Sequence, residues 1–132
     1  MNWRNHLYSF AIVGLSSFSY SLGAADVVAQ KYPNVVAAKV QPRGLDVFDF
    51  DVTVSSPYDT PQRYADAFRV TGKDGTVYGE RLLVHDHAEE QPFSRDLHGV
   101  KIPHAVRVVV VQARDRQFGY GGKTAEVALP GR

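Results

Sequence analysis

The chain has 132 residues, with 15 basic and 14 acidic side chains, five histidines and no cysteine. A charge balance this close to zero gives no support to nucleic-acid or anionic-membrane binding. The missing cysteines exclude both a disulfide scaffold and a cysteine-linked lipid anchor, so a single buried core must hold the fold.

The first 25 residues read as a secretory signal peptide. "MNWRNH" carries one arginine and no acid, a charge-free apolar stretch follows, and Gly23 and Ala25 place small residues at −3 and −1. Five serines and two tyrosines make that stretch a poor permanent span, so cleavage after Ala25 is expected, with no span left afterwards. The mature chain is then expected in the periplasm or outside the cell. Its acids and bases are equal in number once Arg4 is removed.

Residues 26–33 form a loose lead-in ending at Pro33, and 34–132 form one domain. From there the apolar pattern has a period of two, the mark of half-buried strands. In 34–42, Val36, Ala38 and Val40 share one face. In 45–54, Phe48, Phe50, Val52 and Val54 alternate with Asp49, Asp51 and Thr53, the clearest signal in the chain. "SSPYDTPQ" breaks the pattern, and 63–72 returns to it with Phe68 and Val70 as core anchors. "GKDGT" is a hairpin turn, since Asp-Gly supplies the positive φ such turns need. The return strand is expected from Val77 to His87, followed by a short strand near Phe93–Leu97. "VRVVVVQARD" reads as a strand buried on both faces, "RQFGYGGK" as a glycine-rich loop and "TAEVALP" as the closing strand. Seven or so short strands and no helical period predict an all-β, antiparallel two-sheet sandwich, with a small barrel as the rival.

Four histidines, His85, His87, His98 and His104, fall within twenty residues. His85-x-His87 on a strand would put two imidazoles on one face, with Glu90 or Glu89 and His98 to complete a shell for zinc or copper(II). The competing reading is that the pair ends a strand and bonds to loop carbonyls, or senses pH or touches a partner. In "EEQPFSR", Phe93 is expected to plug the core while Arg95 pairs with an acid such as Glu90 or Asp115. Asp46, Asp49 and Asp51 suit calcium only if they converge; their alternation with phenylalanines makes a solvated face the expectation. Ser94, His85 and Asp86 lack a nucleophile elbow, so no catalytic residue is assigned. Phe118 and Tyr120, together with Arg95, are candidate contacts for a protein or envelope partner.

"VRVVVVQARDRQFGYGGKTAEVAL" resembles the last hairpin of fibronectin type III and related immunoglobulin-like domains, which implies a buried aromatic at Phe68 and a binding or spacer role. "YADAFRV", "DGTVYGERLLVHDH", "EEQPFSR" and "GYGGKT" together resemble a group of small exported bacterial proteins of uncharacterised function. That resemblance implies export and a sandwich, and brings no activity or cofactor with it. The reading that results is a non-enzymatic exported binding module, contacting its partner through 85–95 and 117–122, with a periplasmic metal-binding protein as the alternative.

Overall fold

The computed structural model describes residues 30–132; the signal peptide expected over 1–25 and the start of the expected lead-in lie outside the described residues. Seven strands follow in chain order: β1 (Asn34–Gly44), β2 (Val47–Ser55), β3 (Ala65–Thr71), β4 (Val77–Leu82), β5 (Phe93–Lys101), β6 (Val108–Asp115) and β7 (Gly119–Ala128). They make two antiparallel sheets, one ordered β1-β2-β5 and the other β4-β3-β6-β7. The protein is therefore an all-β two-sheet sandwich, and among the described residues no helix is long and apolar enough to cross a membrane.

The alternation in β2 explains its central place in the first sheet. Phe48, Phe50, Val52 and Val54 are buried and meet Phe68 and Val70 of β3 and Val109, Val111 and Ala113 of β6. Phe50, Phe68 and Phe93 are fully buried, each stabilising the fold by about 1.5–3 kcal/mol through apolar transfer. The expected aromatic anchor on the third strand is thus present. The 72–76 turn is as expected: Gly75 has φ +87°, and the Asp74 carboxylate accepts from the Thr76 amide at 3.1 Å.

Four details differ from the sequence reading, each for a local reason. A bulge between Val35 and Ala37 shifts the phase at the start of β1, so Val35 is buried while Val36 is 52% exposed; beyond it Ala38 and Val40 pack against the core as expected. β4 stops at Leu82 rather than reaching His87: the Leu83 amide still bonds the Asp66 carbonyl at 2.8 Å and its side chain is buried, but beyond it the chain turns off into the 83–92 connection. β5 continues past Leu97 to Lys101, carried through a bulge at Gly99, whose φ is +68° and whose amide bonds Asp49 at 2.8 Å. β6 buries only one face: Val109, Val111, Ala113 and Asp115 point inward, while the alternate residues are half-exposed on the outer surface.

The glycines of "GYGGKT" also have a different task from the expected loop. β7 already begins at Gly119, and only 116–118 form the turn. The Tyr32 ring lies against Gly121, and Gly122, at φ +77°, faces the Pro33 carbonyl; a Cβ at either position would collide. The Lys123 amide donates to Asn34 Oδ1 at 2.8 Å. The described part of the lead-in is accordingly fixed: Gln30 Nε2 donates to the Ser55 carbonyl at 2.8 Å, and Tyr32 to Asn34 lie across the start of β7.

Candidate functional site

Antiparallel pairing gathers three connections at one end of the sandwich: 56–64 between β2 and β3, 83–92 between β4 and β5, and 116–118 between β6 and β7. The two segments singled out in sequence, 85–95 and 117–122, both have their ends here. They are joined through the connection between them, in which two buried carboxylates, Asp59 and Asp115, organise the surroundings.

Asp59 Oδ1 accepts from the Ala65 amide at 3.1 Å, and its Oδ2 from the His87 amide at 3.0 Å. The first bond ties the start of β3 and the second ties 83–92. Gln91 completes the attachment, accepting from the Ser56 amide at 2.7 Å and donating to the His87 carbonyl at 3.0 Å. Burial pushes the Asp59 carboxyl above its ordinary value, against the lowering effect of the two amides.

His87 is 5% exposed and stacks on Phe93, with centroids 3.8 Å apart and planes at 10°. Its Nδ1 is 4.0 Å from Asp59 Oδ2, beyond hydrogen-bond length, and is the only buried side-chain polar atom without a partner among the described residues. Burial, then the Arg95 and His85 charges, hold the imidazole below its ordinary value. His85 remains outside, its ring 4.8 Å from that of His87, and its Nδ1 lies 2.7 Å from the Asp86 carbonyl.

Of the residues expected to bind metal, His85 and His87 are brought together, although in a loop rather than on a strand. Glu90 is held by Arg95 through two bonds at 3.1 and 3.3 Å, the ion pair expected from the sequence; the guanidinium lowers the Glu90 carboxyl. His98 is elsewhere engaged, at 2.9 Å from Asp96 and 3.5 Å from Asp49. It lines a shallow hollow of about 460 Å³ with Lys39, Asp49, Asp51 and Ser94. Among the described residues no three His, Asp or Glu side chains converge as a metal shell. Nor do the three aspartates considered for calcium converge: Asp46 bonds His104 at 3.0 Å and Arg132 at 2.7 Å, away from the Asp49 amide bond.

Asp115, the alternative partner considered for Arg95, instead pairs with Arg63. Its side chain is fully enclosed; Tyr58 Oη donates to it at 2.8 Å, the Gln117 and Phe118 amides at 2.9 Å, and Arg63 Nε lies 3.2 Å away. Burial and the hydrogen bond to this carboxylate raise the Tyr58 phenol. The Arg63 guanidinium also lies 4.2 Å over the Tyr58 ring and 4.9 Å over Phe118.

The two aromatic contact candidates separate. Phe118 remains 40% exposed at the tip of the turn, with Lys31 Nζ 4.4 Å above its ring. Tyr120 is part of β7 and is covered by the Arg69 guanidinium at 3.7 Å, with its hydroxyl donating to Glu80. It is therefore engaged on the outer face of the four-stranded sheet and does not stand in a free loop. Sequence reasoning also passed over Val84, 81% exposed, whose carbonyl lies 3.4 Å from Tyr64 Oη. Arg116 in turn lies 5.3 Å over the Tyr64 ring, so Val84 and the Phe118 turn border one surface.

No family model, curated protein or solved structure matches the chain. The site accordingly rests on its own geometry.

Proposed function

We propose that the protein is an exported, non-enzymatic sandwich module that binds a protein or envelope component through this loop end. The observation that carries the reading is the pairing of a rigid, buried attachment with exposed apolar side chains. Asp59 and Asp115 fix the connections from within, while Val84 and Phe118 stand in solvent above them. Such fixing lowers the ordering cost of association, and a few exposed apolar or aromatic anchors supply most of the energy of a contact. Export rests on the character of residues 1–25.

Capture from native envelope extract tests it. The wild-type protein should retain a specific partner, and Val84→Asp with Phe118→Asp should lose it while keeping the same unfolding midpoint. Equal capture by the double variant overturns the assignment of this end.

The adjacent imidazoles favour a second reading, zinc or copper(II) binding by His85 and His87, with Glu90 or His98 moving in. The unpartnered His87 Nδ1 beside a second ring is its specific support. Titration of untagged protein with either ion separates the readings. Micromolar binding lost in His85→Ala/His87→Ala supports a metal protein, and no binding sinks it.

A further inference from the structure

The end of the sandwich remote from 83–92 carries a groove that takes no part in the loop-end site. Its surroundings are the 45–46, 72–76 and 102–107 connections. Two hollows, of about 380 and 410 Å³, lie on either side of Tyr78. The first has Val77, Ile102 and Pro103 as its apolar lining, and Val77 is 49% exposed. The second is lined by Val106 and Val108 beside Gly72. Tyr78 packs against the core from the start of β4. Its ring comes close over Gly72, where a Cβ would stand 2.9 Å from the phenolic oxygen.

Backbone bonds hold the walls in place. The Gly72 amide donates to the Thr76 carbonyl at 2.8 Å, the Ile102 amide to the Asp46 carbonyl at 2.9 Å and the Val106 amide to the Pro103 carbonyl at 3.0 Å. The charges on the rim are unequally engaged. Asp46 is held by His104 at 3.0 Å and Arg132 at 2.7 Å, and Asp74 by the Thr76 amide at 3.1 Å and hydroxyl at 3.0 Å. The bases are free by comparison. Lys101 and Arg107 are exposed, with no carboxylate in ion-pair reach among the described residues, and Lys73 has only Glu126 at 3.9 Å in open solvent. An apolar floor between uncompensated cations is complementary to apolar side chains flanked by negative charge. Both hollows are open along one side, which suits a chain laid across them better than a small molecule enclosed all round.

We propose that this groove binds an extended acidic peptide segment. Two of its apolar side chains sit on either side of Tyr78, and flanking carboxylates pair with Lys101 and Arg107. Alternate side chains of an extended chain share a face about 7 Å apart, so a single residue between the two apolar ones passes over the tyrosine. The module then has contact surfaces at both ends of the sandwich, and this one does not depend on the other.

An NMR titration of the full chain with the peptide acetyl-EELSVEE-amide tests the proposal. Amides of Val77, Tyr78 and Val108 should shift as the peptide rises to about 1 mM, while those of Val84 and Phe118 stay in place. Lys101→Glu/Arg107→Glu should weaken binding about tenfold, and added salt should weaken the wild-type complex. Val77→Asp, which spoils the floor of the first hollow alone, should also weaken it and serves if the double variant does not fold. Val84→Asp/Phe118→Asp should bind the peptide as the wild type does, so failure at the loop end and failure here are read separately. No shift at the groove, equal binding by the charge-reversed protein, or equal binding of acetyl-KKLSVKK-amide overturns the proposal. A response to phosphatidylglycerol vesicles in place of the peptide also overturns it, by making the groove a lipid site. Dilution-dependent shifts without peptide do the same, by making it the seat of a second copy.

Discussion

Asp59 and Asp115 are both enclosed carboxylates at the same end of the sandwich, and each accepts two backbone amides. They differ in counter-charge. Asp115 has the Arg63 guanidinium and the Tyr58 hydroxyl, and arginine is charged at any pH the protein will meet. Asp59 has only an imidazole at 4.0 Å, itself held neutral by burial. One corner is thus fixed by a permanent charge, and the other depends on solution conditions. Identical-looking anchors can serve opposite ends.

The largest effect should come from breaking the compensated corner. Asp115→Ala leaves a mostly covered Arg63 charge and two amides without acceptors, and should cost about 3–5 kcal/mol in urea unfolding. Asp59→Ala strands two amides as well, but it also removes a buried carboxylate that has no cation. Its cost should be smaller, about 2 kcal/mol. An Asp59→Ala loss equal to or greater than that of Asp115→Ala would erase the distinction between the corners.

The pH dependence sharpens the same contrast. The folded His87 value lies below the unfolded 6.5, so the unfolded chain binds the proton first. Stability from this group is therefore complete above about pH 6.5 and is lost as the pH falls. Asp59, raised above 3.8, works in reverse: the folded carboxyl takes its proton first and returns some stability at lower pH. Urea midpoints should therefore decline from pH 7 to 5 in the wild type and decline less in His87→Phe. Parallel curves would remove His87 as the cause.

The smallest effect belongs to the exposed ion pair. Glu90→Gln removes the partner of Arg95, but water screens both groups, and the unfolding midpoint should not move measurably. A clear loss, insensitive to added salt, would show that Arg95 is structural in the way Arg63 is.

Much of this architecture was legible in local pattern. Alternation in 47–54 placed β2, Asp74-Gly75 placed a turn, and the five-residue spacing of Glu90 and Arg95 allowed their pair. What escaped was set by distant contacts. Neither the bulge at Val36 nor the end of β4 at Leu82 leaves a mark in a period-two pattern, because both depend on what lies opposite. Asp59 reaches His87 across 28 residues, and Tyr58 reaches Asp115 across 57. One clue was available: extending the inward positions Val109, Val111 and Ala113 by two places Asp115 in the core, where a carboxylate must have partners. For the glycines at 121 and 122, the aromatic and proline that lie over them are about ninety residues away in sequence.

That crossing has a bearing on how the domain avoids other copies of itself. An open strand margin is a template on which a foreign strand can add. The beginning of β7 is shielded by Tyr32, Pro33 and Asn34, which approach only because Gly121 and Gly122 carry no side chains. On the opposite flank, Arg81 of β4 spans to Asp96 of β5, and the Gly99 bulge interrupts the outer strand. The two flanks are blunted by unrelated devices. A substitution at Gly122 would therefore be felt first as self-association during folding, before any change in what the loop end can hold.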